Sequence, residues 1–424
     1  MLLHEVGLME EIFISEINIE KARVVKDLFI PLSDSERKHL IITGKNGSGK
    51  TSVLLELNKY LHGLLNKHSQ NLATLWTDAL NKTKRELLNL RSAPSSSDTN
   101  NKIVQLQNNI RNYENHLGQF GTARIFFQNE HLIWEKAING TFIIVYFDAQ
   151  RQAKINVPTG INKIDLQDRY NLSPQTNQHF IQYIVNLKAD RSFAKDDGEV
   201  STVSEIDKWF ENFEQSLRDI CDSPSLELKF DRKTYNFQLV EKDKEPYTFN
   251  TLSDGYSSII SIVTELILRM EAHGVKNYDM QGLVLIDEIE THLHVELQKK
   301  ILPFLINFFP KIQFIVSTHS PFILSSVSNS VICDLETKIV TSDLSAYSYD
   351  AIIESYFYSD KYSDLIKDMI IEYEELLSKE IIEPEEKERL RELKKYFSAA
   401  PKYLSTELQV KLQELELKYL HNKV

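Results

Sequence analysis

The segment Gly44-Lys45-Asn46-Gly47-Ser48-Gly49-Lys50-Thr51 limits what this chain can fold into more than any other. It fits the spacing G-x-x-x-x-G-K-S/T without deviation. The apolar run Leu40-Ile41-Ile42 leads into it, and leucines at 54, 57, 61 and 64 follow it at helical spacing. A strand that ends in a glycine-rich turn and continues as a helix directs backbone N–H groups at an anion, beside a helix end whose dipole favours negative charge. The expected occupant is a polyphosphate. Lys50 is placed to reach the β- and γ-phosphates and the Thr51 hydroxyl to ligate Mg²⁺, with Ser52 continuing the cradle. Such a unit belongs to the α/β class.

Composition mainly excludes. The length of 424 residues suggests two or three units at about 100–200 residues each. Hydrophobic residues at 42% and charged residues at 26% rule out wholesale disorder and fibrous repeats. No apolar run approaches the roughly 20 residues that cross a bilayer. Glu5 and Glu10 stand where an export signal would need a basic start and an apolar centre. Cys221 and Cys333 are far apart, without a Cys-x-x-Cys, which disfavours a disulfide framework and a cysteine-held zinc. A reducing cytoplasm and no membrane are therefore expected. The net charge of −12 argues against a surface that coats nucleic acid as a whole, while leaving room for a local basic groove.

Residues 11–45 read as paired strands at Ile12–Ile14, Leu28–Ile30 and Leu40–Ile42. Helical character runs to about Leu90, followed by a polar break at 92–98 and a second helix with Ile103, Leu106, Ile110, Tyr113 and Leu117 on one seam. The simplest reading is an inserted helical hairpin; two ordinary surface helices are the alternative. The order of elements over 120–200 is not legible. An amphipathic helix follows from Val203, then a hairpin formed by Leu226–Phe230 and Tyr235–Val240. Leu283–Ile286 and Phe314–Val316 have the continuous apolar character of central parallel strands. Helices are expected at 362–378, 383–397 and 404–421. The organisation is thus a discontinuous head (1–60 and 120–345), an insertion (61–119) and a helical C-terminal region (346–424).

The run Leu283–Ile286 ends in Asp287-Glu288. At the carboxyl end of a central strand, Asp287 is suited to a Mg²⁺-directed role and Glu288 to orienting or deprotonating an attacking water. His292 and His294 beside Glu290 could suggest a metal, but a loop facing a neighbouring subunit is the favoured reading. Three further stretches bear on the kind of NTPase: Leu252-Ser253-Asp254-Gly255-Tyr256 before an apolar helix, Ser317-Thr318-His319-Ser320-Pro321 after the next strand, and Arg23 near the N-terminal strands.

Together these motifs resemble the ABC-type ATPases of the SMC/RecF and OLD group, whose order is Walker A, insertion, signature, Walker B and switch histidine. The resemblance covers about 11–60 and 245–335. It implies an ABC-type head in which two copies sandwich ATP, with Ser253 and the N–H groups around Gly255 facing the γ-phosphate on the partner's Walker A loop. His319 would sense that phosphate from the side of Lys50, and Arg23 would touch the nucleotide. Gln150 or Arg151 resembles the Q-loop position, with Gln150 the candidate for nucleotide and Mg²⁺. Asp254 and Tyr256 depart from the transporter signature, which implies slow or partner-gated hydrolysis.

The long stretch between Lys50 and Ser253 and the Glu-x-Glu-x-His-Leu-His run argue against a transporter. Residues 336–424 contain no Asp-x-Asp, so no Toprim nuclease of the chain's own is expected. The resemblance is strongest to Septu-type (PtuA-like) anti-phage defence ATPases, also found beside some retrons. It implies a nucleotide-dependent oligomer that holds a separate nuclease of HNH or Toprim type, with DNA or a retron reverse transcriptase and its DNA as further partners. The alternative is a RecF/SMC-like repair ATPase that clamps DNA, to which Lys82, Lys84, Arg85 and Arg91 would offer a basic side.

Overall fold

β1 (Phe13–Ala22) and β2 (Val25–Pro31) pair antiparallel, and β4 (Ala123–Gln128) joins the other edge of β1 to give a three-stranded sheet. These observations come from a computed structural model. It describes residues 11–347 except 67–71, 92–96, 119, 168–169, 175, 274–277 and 279, together with 352, 364–379, 383–398, 413–414 and 417. The chain divides into two compact units, 1–349 and 350–424.

β3 (His39–Thr43) does not pair with β1 or β2, contrary to the expectation of one paired set over 11–45. It enters a second sheet with β5 (Ile143–Phe147), β9 (Gly282–Ile286), β10 (Ile312–Ser317), β11 (Ser330–Asp334) and β12 (Val340–Ser342), in the order β12-β11-β3-β10-β9-β5. All its pairings are parallel except β11 with β12. β3, β9, β10 and β11 are buried at every position, so both their faces need apolar cover and a central place is the outcome. Each buried Leu or Ile contributes about 1.5–3 kcal/mol of transfer free energy.

Two glutamines fasten the small sheet to the large one. Gln313 accepts a hydrogen bond from the Ile14 amide at 2.7 Å and donates to the Lys38 carbonyl at 2.7 Å, while Gln281 accepts from the Ile12 amide at 2.9 Å. A third sheet, β6 (Glu227–Asp231), β7 (Asn236–Val240) and β8 (Tyr247–Thr248), contains the expected hairpin.

The helices Leu72–Arg91 and Ser97–Gly118 pack on each other. Lys84 pairs with Glu114 at 2.9 Å and Lys102 with Glu86 at 3.3 Å. Lys84, one of the basic residues singled out for a phosphate-facing side, is thus engaged by an acid of the facing helix. In the second unit, Asp364–Ser378 and Pro384–Ser398 share a core of Ile370, Tyr373, Leu376, Leu393 and Phe397. The helix expected at 404–421 and the residues 92–96 of the polar break lie outside the described residues, save 413–414 and 417. Among the described residues no helix is long and apolar enough to cross a membrane.

Candidate functional site

β3 ends at Thr43 and the helix Lys50–Asn66 begins six residues beyond Gly44, so the intervening loop must turn sharply. Gly44, Gly47 and Gly49 have φ of +139°, +83° and +104°. Those are backbone conformations that side-chain-bearing residues rarely adopt. At Gly49 a Cβ would also meet Val25 at 2.7 Å. Lys50 is buried, its Nζ donating to the carbonyls of Gly44 at 2.8 Å and Lys45 at 3.2 Å, and lying 3.3 Å from His319 Nδ1. The Lys45 side chain turns outward to Glu336 at 2.6 Å, leaving its backbone to the loop. Arg23, Asn46, Gly47, Gly49, Lys50, Thr51, Ser52, Glu288 and His319 line one cleft of about 270 Å³, together with Val24.

The carboxylates sit at the ends of adjacent parallel strands. Asp287 follows β9 and is buried; Ser317, the last residue of β10, donates to its Oδ1 at 2.5 Å. The same Ser317 hydroxyl accepts the Glu288 amide at 2.7 Å. Glu288 is half-buried and left-handed, with φ +45°. Glu290 accepts the His319 amide through one oxygen, while its buried Oε2 has no hydrogen-bond partner. Burial raises the Glu290 carboxyl above its ordinary value. Burial, then the neighbouring Lys50 cation, lowers His319, so its ring is neutral at pH 7 and a nitrogen is free to accept from Lys50. Burial also lowers Lys50, against the opposing pull of Glu290, Glu288, Asp287 and Asp334.

The structure does not bring every expected residue into this cleft. Gln150 is exposed, its amide tied to Asp148 at 3.0 Å, and it does not line the cleft; here the expectation that it would join the nucleotide and Mg²⁺ residues is not met. Its neighbour Arg151 turns inward instead, because Phe147 ends β5 beside β9 and the next turn passes the Asp287–Ile289 backbone. Ser253 and Gly255 lie at the start of the helix Asp254–Glu271, outside the cleft. Ser253 occupies the N-cap position, but its side chain makes no capping bond and is exposed. Gly255 abuts the 288–293 turn, where a Cβ would stand 2.7 Å from the His292 carbonyl oxygen. Among the described residues no group of three or more His, Cys, Asp or Glu side chains could hold a metal, His292 and His294 included. The sequence reading missed Ser317 and Glu290, although both stand inside stretches it singled out.

Several comparisons bear on the family. Residues 167–325 match the family described as AAA domain, putative AbiEii toxin, Type IV TA system. Septu protein PtuA of Bacillus mycoides (strain KBAB4) is 48% identical over 73 residues, 17% of this chain and 10% of that protein. Retron Vc95 probable ATPase of Vibrio cholerae serotype O1 biovar El Tor is 35% identical over 112 residues, 25% of this chain and 21% of that one. Septu protein PtuA of Bacillus thuringiensis is 26% identical over 300 residues, 68% of this chain and 67% of that protein. The chain therefore spans only a small part of the first two relatives. Its own fold is mixed α/β, helices around a six-stranded sheet that is parallel but for one edge pairing. A solved structure, an SmcHead bound to the C-winged helix domain of ScpA, covers 76% of this chain and 94% of its own at 13% identity and a TM-score of 0.36.

The residues around the cleft fit a nucleotide phosphate with Mg²⁺. The Ser48 hydroxyl is buried without a hydrogen-bond partner in the phosphate loop, and Thr51 in the cleft and the buried Asp287 behind it carry hard oxygens of the kind Mg²⁺ takes.

Proposed function

We propose that this chain binds ATP with Mg²⁺ between two copies of itself, hydrolyses it slowly, and thereby switches a bacterial anti-phage defence complex whose cutting is done by a separate nuclease. The observation that carries the nucleotide part is the cleft in which Lys50 Nζ lies 3.3 Å from His319 Nδ1 beside Thr51 and Glu288. About 270 Å³ is small against the roughly 300–1,000 Å³ of ligand pockets, which agrees with one half of a shared site. The defence part is supported by similarity to proteins named Septu protein PtuA and Retron Vc95 probable ATPase.

Mg²⁺, held by Thr51 and Asp287, would neutralise phosphate charge. The loop amides and Lys50 bind and orient the phosphates. Glu288 points a carboxylate at the water, and His319 keeps Lys50 aligned by accepting from its ammonium. Ser253 of the second copy, whose hydroxyl is not consumed as a helix cap, would complete the phosphate's coordination. ATP that touches both copies favours the closed pair by its differential contacts.

Glu288→Gln tests this reading. The variant should keep bound ATP and pair in its presence, while phosphate release falls by on the order of 10²–10⁴-fold. Light scattering with ATP–Mg²⁺ and a phosphate-release assay read the two effects. A wild-type chain that neither binds ATP nor changes its mass with it would overturn the proposal.

A further inference from the structure

Arg151 is a buried cation with four hydrogen bonds to backbone carbonyls beside the cleft, and the hydrolysis chemistry above does not use it. The residue is 6% exposed. One terminal nitrogen donates to the carbonyls of Asp148 at 3.0 Å and Asp287 at 2.7 Å; the other donates to those of Glu288 at 3.1 Å and Ile289 at 3.0 Å. Three successive carbonyl oxygens thus converge on one side chain. Their dipoles repel unless a cation gathers them, and the planar fork of arginine reaches several acceptors at fixed angles. The turn so gathered is the one in which Glu288 takes its left-handed backbone, φ +45°, a conformation that persists in a non-glycine residue only where its surroundings enforce it.

We propose that Arg151 is the positioning residue for Glu288: it clasps the exits of β5 and β9 and holds the turn that aims the Glu288 carboxylate into the cleft. The clasp spans both strands, since the Asp148 carbonyl belongs to the exit of β5 and the other three to the exit of β9. The four carboxylates nearby, Glu290, Asp287, Asp148 and Glu288, offset part of the burial of the cation. Ser317 holds the same turn from the opposite side, through the Glu288 amide and the Asp287 carboxylate. Arg151 therefore has a different task from Gln150, its exposed neighbour.

This inference rests on the ATP-hydrolysis reading, and the experiment separates the two. Full-length Arg151→Met, Arg151→Lys and the double variant Arg151→Met/Glu288→Gln are compared with wild type and Glu288→Gln for kcat, KM and equilibrium ATP binding. A displaced catalytic group costs on the order of 10²-fold in rate, so Arg151→Met should lose about that much kcat while ATP binding is unchanged. Arg151→Lys, which keeps the charge and loses the fork, should recover only part. The double variant should turn over no more slowly than Glu288→Gln, because the two residues act as one unit. The proposal falls if Arg151→Met keeps wild-type kcat, if Arg151→Lys is indistinguishable from wild type, if kcat and ATP binding decline together, or if the loss persists undiminished without Glu288. Should Arg151→Met not fold, Arg151→Lys and Arg151→Gln are judged by the same criteria. A wild-type chain without phosphate release removes the underlying reading first, which is a distinct result.

Discussion

At Gly255 the difference between hydrogen and methyl decides whether two functional stretches can touch. A Cβ there would stand 2.7 Å from the His292 carbonyl oxygen and 3.4 Å from the Leu293 side chain. The oxygen is backbone and cannot step aside as a flexible side chain would. Gly255→Ala should therefore push the start of the Asp254–Glu271 helix away from the 288–293 turn, at about 1–3 kcal/mol of stability. Turnover should fall by on the order of 10²-fold, with ATP still bound by the loop at 44–51. Calorimetric melting and phosphate release check the two parts; wild-type values for both would contradict the close approach. Legibility at this scale was uneven. The glycines and Lys50 announce themselves because their spacing is a local property. Glu290 does not, since its partner is the amide of His319 in the loop after β10, and no spacing encodes that contact.

Among the elements, β3, β9 and β10 could be read from sequence because two-sided burial leaves an unbroken apolar run. The stretch 120–200 could not, for two physical reasons. β4 and β5 lie close in sequence yet join different sheets, so their pairing is set by distant partners. The helix Phe180–Asp196 buries Phe180, Ile181, Ile184 and Val185 on one face but exposes Phe193 on the opposite side, which blurs its helical period in the sequence. What fixes this region is polar. Glu265 and Arg269, 2.8 Å apart and almost wholly buried, belong to the Asp254–Glu271 helix. Glu265 accepts the amides of Thr176 and Asn177, and Arg269 donates to the carbonyls of Ile144, Asn171 and Ser173. Removing one partner of a buried pair strands the other, so Glu265→Ala should cost about 3–5 kcal/mol. Denaturant unfolding measures this, and the double variant Glu265→Ala/Arg269→Ala should lose less than the sum of the singles. Simple additivity would show that the two do not act together.

For the whole molecule, the fold class was legible and the route of the chain through it was not. The order of motifs pointed to an α/β fold around a phosphate loop, whereas the six-stranded order, with β11 and β12 continuing beyond β3, depends on pairings between residues some 300 positions apart. A shared site makes a prediction that a self-contained site does not. Lys50→Ala cripples one half of it and Ser253→Arg the other, and Ser253 is exposed without a capping bond, so its replacement should spare the fold. Each variant alone should be inactive, and mixing them should restore phosphate release, because one composite site in each mixed pair is intact. Mixtures as inactive as their components would mean that each chain works by itself.

The short turn from Glu288 to Leu293 has one further consequence. Glu290 holds the backbone of His319, and two residues later the His292 carbonyl rests on Gly255. His319, in the cleft, and Gly255, on the edge that the proposed pair would share, are thus joined through one short turn. In the proposed pair, such a turn would tie the filling of either cleft to the readiness of the other.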